Sequence, residues 1–181
     1  TLESKTTQTT LGSGTVTVGG AGSTGVTYLT GQNNSNPFVI NAPDSGNIVI
    51  GANGNGSGFT MSGGVTLNGN LTLQTYDNPI SGSTKASVII TGGVTGTGNL
   101  LLNNLGLAAN VITISGTSVN HTGTITLSGT AATGDTTISA PIGANVTGIT
   151  QSSTTSRLVL SGTNTYAGNT TVNAGTLRIT Q

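Results

Sequence analysis

Apolar and polar residues alternate along this chain in many short runs. Thr15 to Val18, Phe38 to Ile40, Asn47 to Ile50, Phe59 to Met61, Val65 to Leu67 and Leu71 to Leu73 all follow the pattern. It returns at Ile112 to Ile114, Ile125 to Leu127, Leu158 to Leu160 and Thr176 to Ile179, with a continuous apolar run at Leu100 to Leu102. A period of two is that of a strand buried on one face, and no window sustains a helical period. The runs follow one another at roughly 10 to 13 residues, separated by Gly, Asn and Ser turns. That spacing suits a sandwich, or a solenoid with two or three strands per turn.

Internal repetition separates the two. Ile112-Thr113-Ile114-Ser115-Gly116-Thr117, Ile125-Thr126-Leu127-Ser128-Gly129-Thr130 and Leu158-Val159-Leu160-Ser161-Gly162-Thr163 are copies of one strand-plus-turn unit. The second and third are followed by matching segments, Gly134 to Ile138 and Gly168 to Val172. A strand, turn, strand unit without helices is what stacked rungs require, because each rung buries its apolar row only against its neighbours. The expected fold is therefore all-β, a parallel β-solenoid. At ~20 to 25 residues per rung, it has about seven to nine rungs. In the best-preserved repeat, Leu158, Leu160, Val172, Leu177 and Ile179 are the positions expected to point inward. Residues 15–181 form the solenoid; residues 1–14, poor in apolar side chains, are an N-terminal tail, a cap or a donated strand. Gly51 to Gly58 reads as a flexible loop.

Composition narrows the functional classes. Only 4% of residues are charged, aromatics make up 3%, and formal net charge is +0. There is no basic surface to neutralise phosphates or to sit on anionic lipid, so neither nucleic acid nor a membrane surface is an expected partner. No apolar run approaches the ~20 residues of a membrane-spanning helix. The chain has no Cys and thus no disulfide framework or thiolate metal site. It starts at Thr1 without a leader, which leads to the expectation of a processed or excised segment. Thr, about a fifth of the residues, is β-branched with a hydroxyl suited to the outward face of a rung.

The segment from Leu158 to Ile179 carries Asn164-Thr165-Tyr166, then Gly168-Asn169-Thr170-Thr171-Val172, then Ala174-Gly175-Thr176-Leu177. In order and spacing it resembles the passenger-associated transport repeat of autotransporter passengers and related bacterial surface proteins. Upstream the likeness fades: Ala131-Ala132 stands where the Asn-Thr-Tyr would fall. The resemblance implies a right-handed parallel β-helix at the outer surface of a diderm bacterium, with the repeat as a structural unit and no catalytic activity.

Motifs that carry chemistry are scarce. Gly20-Ala21-Gly22-Ser23-Thr24-Gly25 fits a dinucleotide-binding glycine pattern, but Val26 to Thr30 reads as a strand where a helix N-terminus would be needed, so a turn is favoured. His121 is the sole histidine, without a second ligand at metal spacing, and is read as a solvent-facing rung residue. Glu3, Asp44, Asp77 and Asp135 are scattered, as are Lys5, Lys85, Arg157 and Arg178. Asp44, Asp77 and Asp135 are the candidate carboxylates if stacking were to build the acid and base cluster of a β-helix polysaccharide enzyme. No cofactor or metal is expected.

The leading reading is a non-enzymatic extracellular structural or adhesive rod. The alternatives are a solenoid that binds ice or a carbohydrate surface through rows of Thr, and, further off, a polysaccharide-active enzyme. Partners are then copies of the chain itself, head to tail, or host and matrix surfaces. A solenoid has two open edges. The candidate assembly residues at those edges are Thr6, Thr7, Thr9, Thr10 and Leu11 at one end and Leu177 and Ile179 at the other.

Overall fold

The computed structural model describes residues 2–4, 11–30, 33–52, 58–75, 87–105, 111–131 and 134–180. After β1 (Leu2–Ser4) come β2 (Val16–Val18) and β3 (Thr24–Thr30), then β4 (Phe38–Asn41), β5 (Ser45–Ala52) and β6 (Phe59–Met61). The pattern continues through β7 (Val65–Asn68), β8 (Leu71–Gln74), β9 (Val88–Ile90), β10 (Val94–Gly96), β11 (Leu100–Asn103) and β12 (Ile112–Ile114). From there the chain alternates between two faces, with β13 (Gly123–Ser128) and β14 (Asp135–Ile138), β15 (Val146–Gln151) and β16 (Arg157–Leu160), and β17 (Asn169–Val172) and β18 (Leu177–Ile179). There is no helix among the described residues.

Strands distant in sequence lie side by side in three sheets. One is eight-stranded, in the order β1-β3-β5-β8-β11-β13-β15-β17; the second runs β10-β7-β4-β2; the third runs β18-β16-β14-β12-β9-β6. Every strand pair is parallel, which is the signature of a β-solenoid. Single bridges extend the second sheet from Val94 to Val119 and on to Ile142.

The solenoid makes about five turns, fewer than the seven to nine rungs expected. The estimate divided the chain by one rung length, but turns differ in length: Gln74 and Asn103 face each other 29 residues apart, Ser152 and Asn173 only 21. It also counted terminal stretches that do not close a turn, since β1 joins only the eight-stranded sheet and neither β17 nor β18 belongs to the second.

Register turns alternation into continuous rows. Ile48, Leu71, Leu100, Ile125 and Ile149 stack in one buried column, and Ile50, Leu73, Leu102 and Leu127 in the next. Facing them, Met61, Ile90, Ile114, Ile138 and Leu160 form a third. Each such side chain contributes about 1.5 to 3 kcal/mol relative to an exposed position. This interior offsets the conformational cost of ordering a glycine-rich chain.

Polar residues also enter the interior, at the corner between the eight-stranded and the third sheet. The Thr75 hydroxyl donates to Asn104 Oδ1 at 2.8 Å, and Asn104 Nδ2 donates to Ser156 Oγ at 3.2 Å. Ser153 Oγ accepts from the Ser156 amide at 2.9 Å and donates to the Gly129 carbonyl at 2.8 Å. Each group replaces a lost water contact with a bond to the chain, as burial of polar atoms demands.

Candidate functional site: the C-terminal turn and its open edge

The segment 164–180 forms the last turn, and its characteristic residues each secure the backbone of the turn beneath. The Ile142 amide donates to Asn164 Oδ1 at 3.1 Å, while the Thr165 amide donates to the Ile142 carbonyl at 2.8 Å. Upstream, the equivalent donors are satisfied by the next turn's backbone, as with Val119 and the Pro141 carbonyl. Asn164 therefore substitutes a side chain for a strand. Tyr166 packs on the core, its hydroxyl 2.8 Å from Thr170 Oγ1.

The two glycines have steric reasons. A Cβ at Gly168 would overlap the Thr147 carbonyl oxygen, and one at Gly175, where φ is +65°, would overlap that of Ser153. Between them, Gly148 to Gln151 pair with β17. Gln151, fully buried, points its Nε2 at the carbonyls of Ser153, Ser156 and Thr176, at 3.2, 2.8 and 3.2 Å. It ties the corner of one turn to the next.

Above this turn the apolar columns are uncovered. Val172 stacks over Gln151, and Leu177 and Ile179 over Leu158 and Leu160, which are both 0% exposed. Leu177 still packs on the core, but Val172 is 52% exposed and Ile179 60%. All five residues expected inward thus occupy inward columns, yet two of them face solvent because a turn is covered only when another lies on it. At the other end Leu11 is 39% exposed; Thr6, Thr7, Thr9 and Thr10 lie outside the described residues. The sequence gave no sign of β1, whose three residues pair parallel with Tyr28, Leu29 and Thr30.

Other candidates separate. Asp44 accepts from the Gly22 amide at 2.8 Å in a turn before β5, while Asp135 pairs with Arg157 at 2.5 Å on the third sheet. The two carboxylates therefore lie on different faces and different turns, and Asp77 is outside the described residues. No group of three or more metal-ligating side chains occurs among the described residues. The glycine pattern at Gly20 to Gly25 runs into strand β3 and presents no helix N-terminus.

His121 departs from its expected solvent-facing place. It is fully buried beside β13, with Nε2 3.4 Å from the Thr124 carbonyl oxygen and Nδ1 unbonded. Burial lowers its pKa, and the contact with Thr124 opposes that only in part. Its neighbours in sequence, Val119 and Ile125, are inward residues, so its position at a corner between them takes it inside.

The Thr rows also differ from the reading of isolated pairs. Thr15 and Thr17 belong to the second face, Thr124 and Thr126 to the eight-stranded one, and of Thr136 and Thr137 the first is buried. Register instead aligns Thr72, Leu101, Thr126, Thr150 and Thr171 in one outward column.

Residues 155–179 match the family model of the passenger-associated-transport-repeat. The match bears out the resemblance drawn from Asn164-Thr165-Tyr166 and the glycine motifs, and it covers the last turn together with the strand beneath it. No curated protein and no solved structure matches the chain. The repeat and the β-solenoid together fit a surface-exposed, passenger-like domain and are consistent with a non-enzymatic structural protein.

Proposed function

We propose that the chain is a structural and adhesive rod displayed at the outer surface of a diderm bacterium, with no catalytic activity of its own. One observation carries the reading: the matched repeat is a rung of the solenoid whose Asn164, Gly168 and Gly175 serve the backbone beneath them. Those residues hold strands and present no reactive group. An uncharged rod also suits exposure to changing salt, since a fold without ion-pair networks loses little when charges are screened. Protease shaving of intact cells carrying the full-length protein tests display. Loss of the solenoid from whole cells, with cytoplasmic markers intact, supports it; protection until the cells are broken overturns it.

Copies of the chain also associate end to end in this reading. Val172 and Ile179 supply the support, as apolar members of inward columns left uncovered, and net charge +0 removes long-range repulsion. Light scattering and electron microscopy test it: particles lengthening with concentration are expected, and a monomer at high concentration overturns it.

A second reading, binding to ice or to a carbohydrate surface, draws on the outward column Thr72, Leu101, Thr126, Thr150 and Thr171. Leu101 interrupts the hydroxyls, so the row is less regular than the surface it would match. Thermal hysteresis and sedimentation with insoluble polysaccharide would detect these activities.

A further inference from the structure

We propose that when copies of the 181-residue chain stack, strand β17 of one pairs in parallel with strand β1 of the next, with Val172 opposite Leu2. The proposal rests on the end-to-end reading and specifies its interface.

The eight-stranded sheet has β1 at one edge and β17 at the other. All its strands are parallel, so the two edges are not equivalent. One offers the donors and acceptors that the other lacks, and translation along the axis brings them together with matching polarity. Two β17 edges would instead meet antiparallel and close into a dimer. Joining opposite edges gives a heterologous contact that repeats without closure.

Register fixes the pairing further. Val172 lies over Gln151, which lies over Leu127, Leu102, Leu73 and Ile50 in turn. The same column passes through Tyr28 and ends at Leu2. It begins and ends at a sheet edge with an apolar residue. Adding a copy by translation places the Leu2 position next after Val172, and the row of the interior continues across the junction. Glu3 then falls opposite Asn173, an uncharged amide, so no like charges meet. Val172, 52% exposed here, gains the cover that Leu127 and Leu102 already have.

The native chain has no Cys, so a single introduced thiol reports its own neighbour. Two preparations, Leu2→Cys and Val172→Cys, are mixed at a concentration where electron microscopy shows rods and treated with a short thiol-specific cross-linker. Cross-linked dimer should form in the mixture several-fold above either variant alone, and the double variant Leu2→Cys/Val172→Cys should give a ladder of multimers. Circular dichroism checks that each variant keeps the native strand signal. Rods that cross-link best as Val172→Cys with itself overturn the proposal in favour of a closed tail-to-tail dimer. Rods that give no cross-link in any combination also overturn it, because β17 and β1 are then not adjacent. If no rods form at any concentration, the end-to-end reading falls and this pairing with it, while surface display stands on its own test.

Discussion

At the scale of single residues, position in the stack decides what a side chain is worth. Leu160 and Ile179 occupy the same inward column one turn apart, the first buried and the second 60% exposed. Leu160→Ala should lower stability by about 2 to 5 kcal/mol, the range for a filled site left as a cavity. Ile179→Ala in the unassembled chain should change it by less than about 0.5 kcal/mol, as expected of a surface site. Urea midpoints of the two variants check the contrast, and equal losses would mean that the last turn is covered in solution. His121 makes a different residue-scale prediction. Its pKa is lowered by burial, so the folded protein takes up its proton at lower pH than the unfolded chain. The stability that this difference protects is fully present above the unfolded value of ~6.5 and is lost as pH falls from there through the folded pKa. His121 is the sole histidine, so between about pH 7 and 5 the decline should disappear in His121→Gln. An identical slope in the variant would assign the effect elsewhere.

At the scale of the element, strands here are too short to persist alone. β17 and β18 have four and three residues, and their order depends on the corners that deliver them to the previous turn. Gly168 sits where β17 begins, against the Thr147 carbonyl. Gly168→Ala should push β17 off β15 without unfolding the rest. Hydrogen exchange should rise at Thr170 to Val172 and stay slow at Leu71 to Leu73 and Leu100 to Leu102, deep in the same sheet. Uniform loss of protection would instead make the whole stack a single cooperative unit. The alternation that predicts these strands was readable wherever β-branched or Leu residues occupy every second position. It was silent for β1, because Leu2-Glu3-Ser4 contains one apolar residue and becomes a strand only by lying beside β3.

At the scale of the whole molecule, an uncapped solenoid balances stability against association. Ile179→Lys places a charge in an apolar column that is exposed in the single chain, so it should leave the urea midpoint near that of the parent while suppressing assembly. Light scattering across a concentration series reads the outcome. Assembly undiminished by the substitution would remove the edge of β18 from the contact. A partly buried ammonium at such a junction is costly unless paired, and no acidic residue stands in β18 to pair with it.

The sequence by itself determined the secondary structure class, the turn-forming glycines and the repeat at the C-terminus, because period-two alternation and motif spacing are local properties written in consecutive residues. It also identified the inward positions of the last turn, since the same alternation fixes which face a side chain takes. Tertiary structure alone decided how many turns close, which residues become neighbours across 21 to 29 positions, and which inward residues are covered. The physical reason is that contacts between rungs depend on the lengths of the intervening loops, which alternation does not constrain. His121 went inward for the same reason, at a corner whose direction is set by the turns above and below it. Thr126, Thr150 and Thr171 came into line because successive strands of the eight-stranded sheet stack in register.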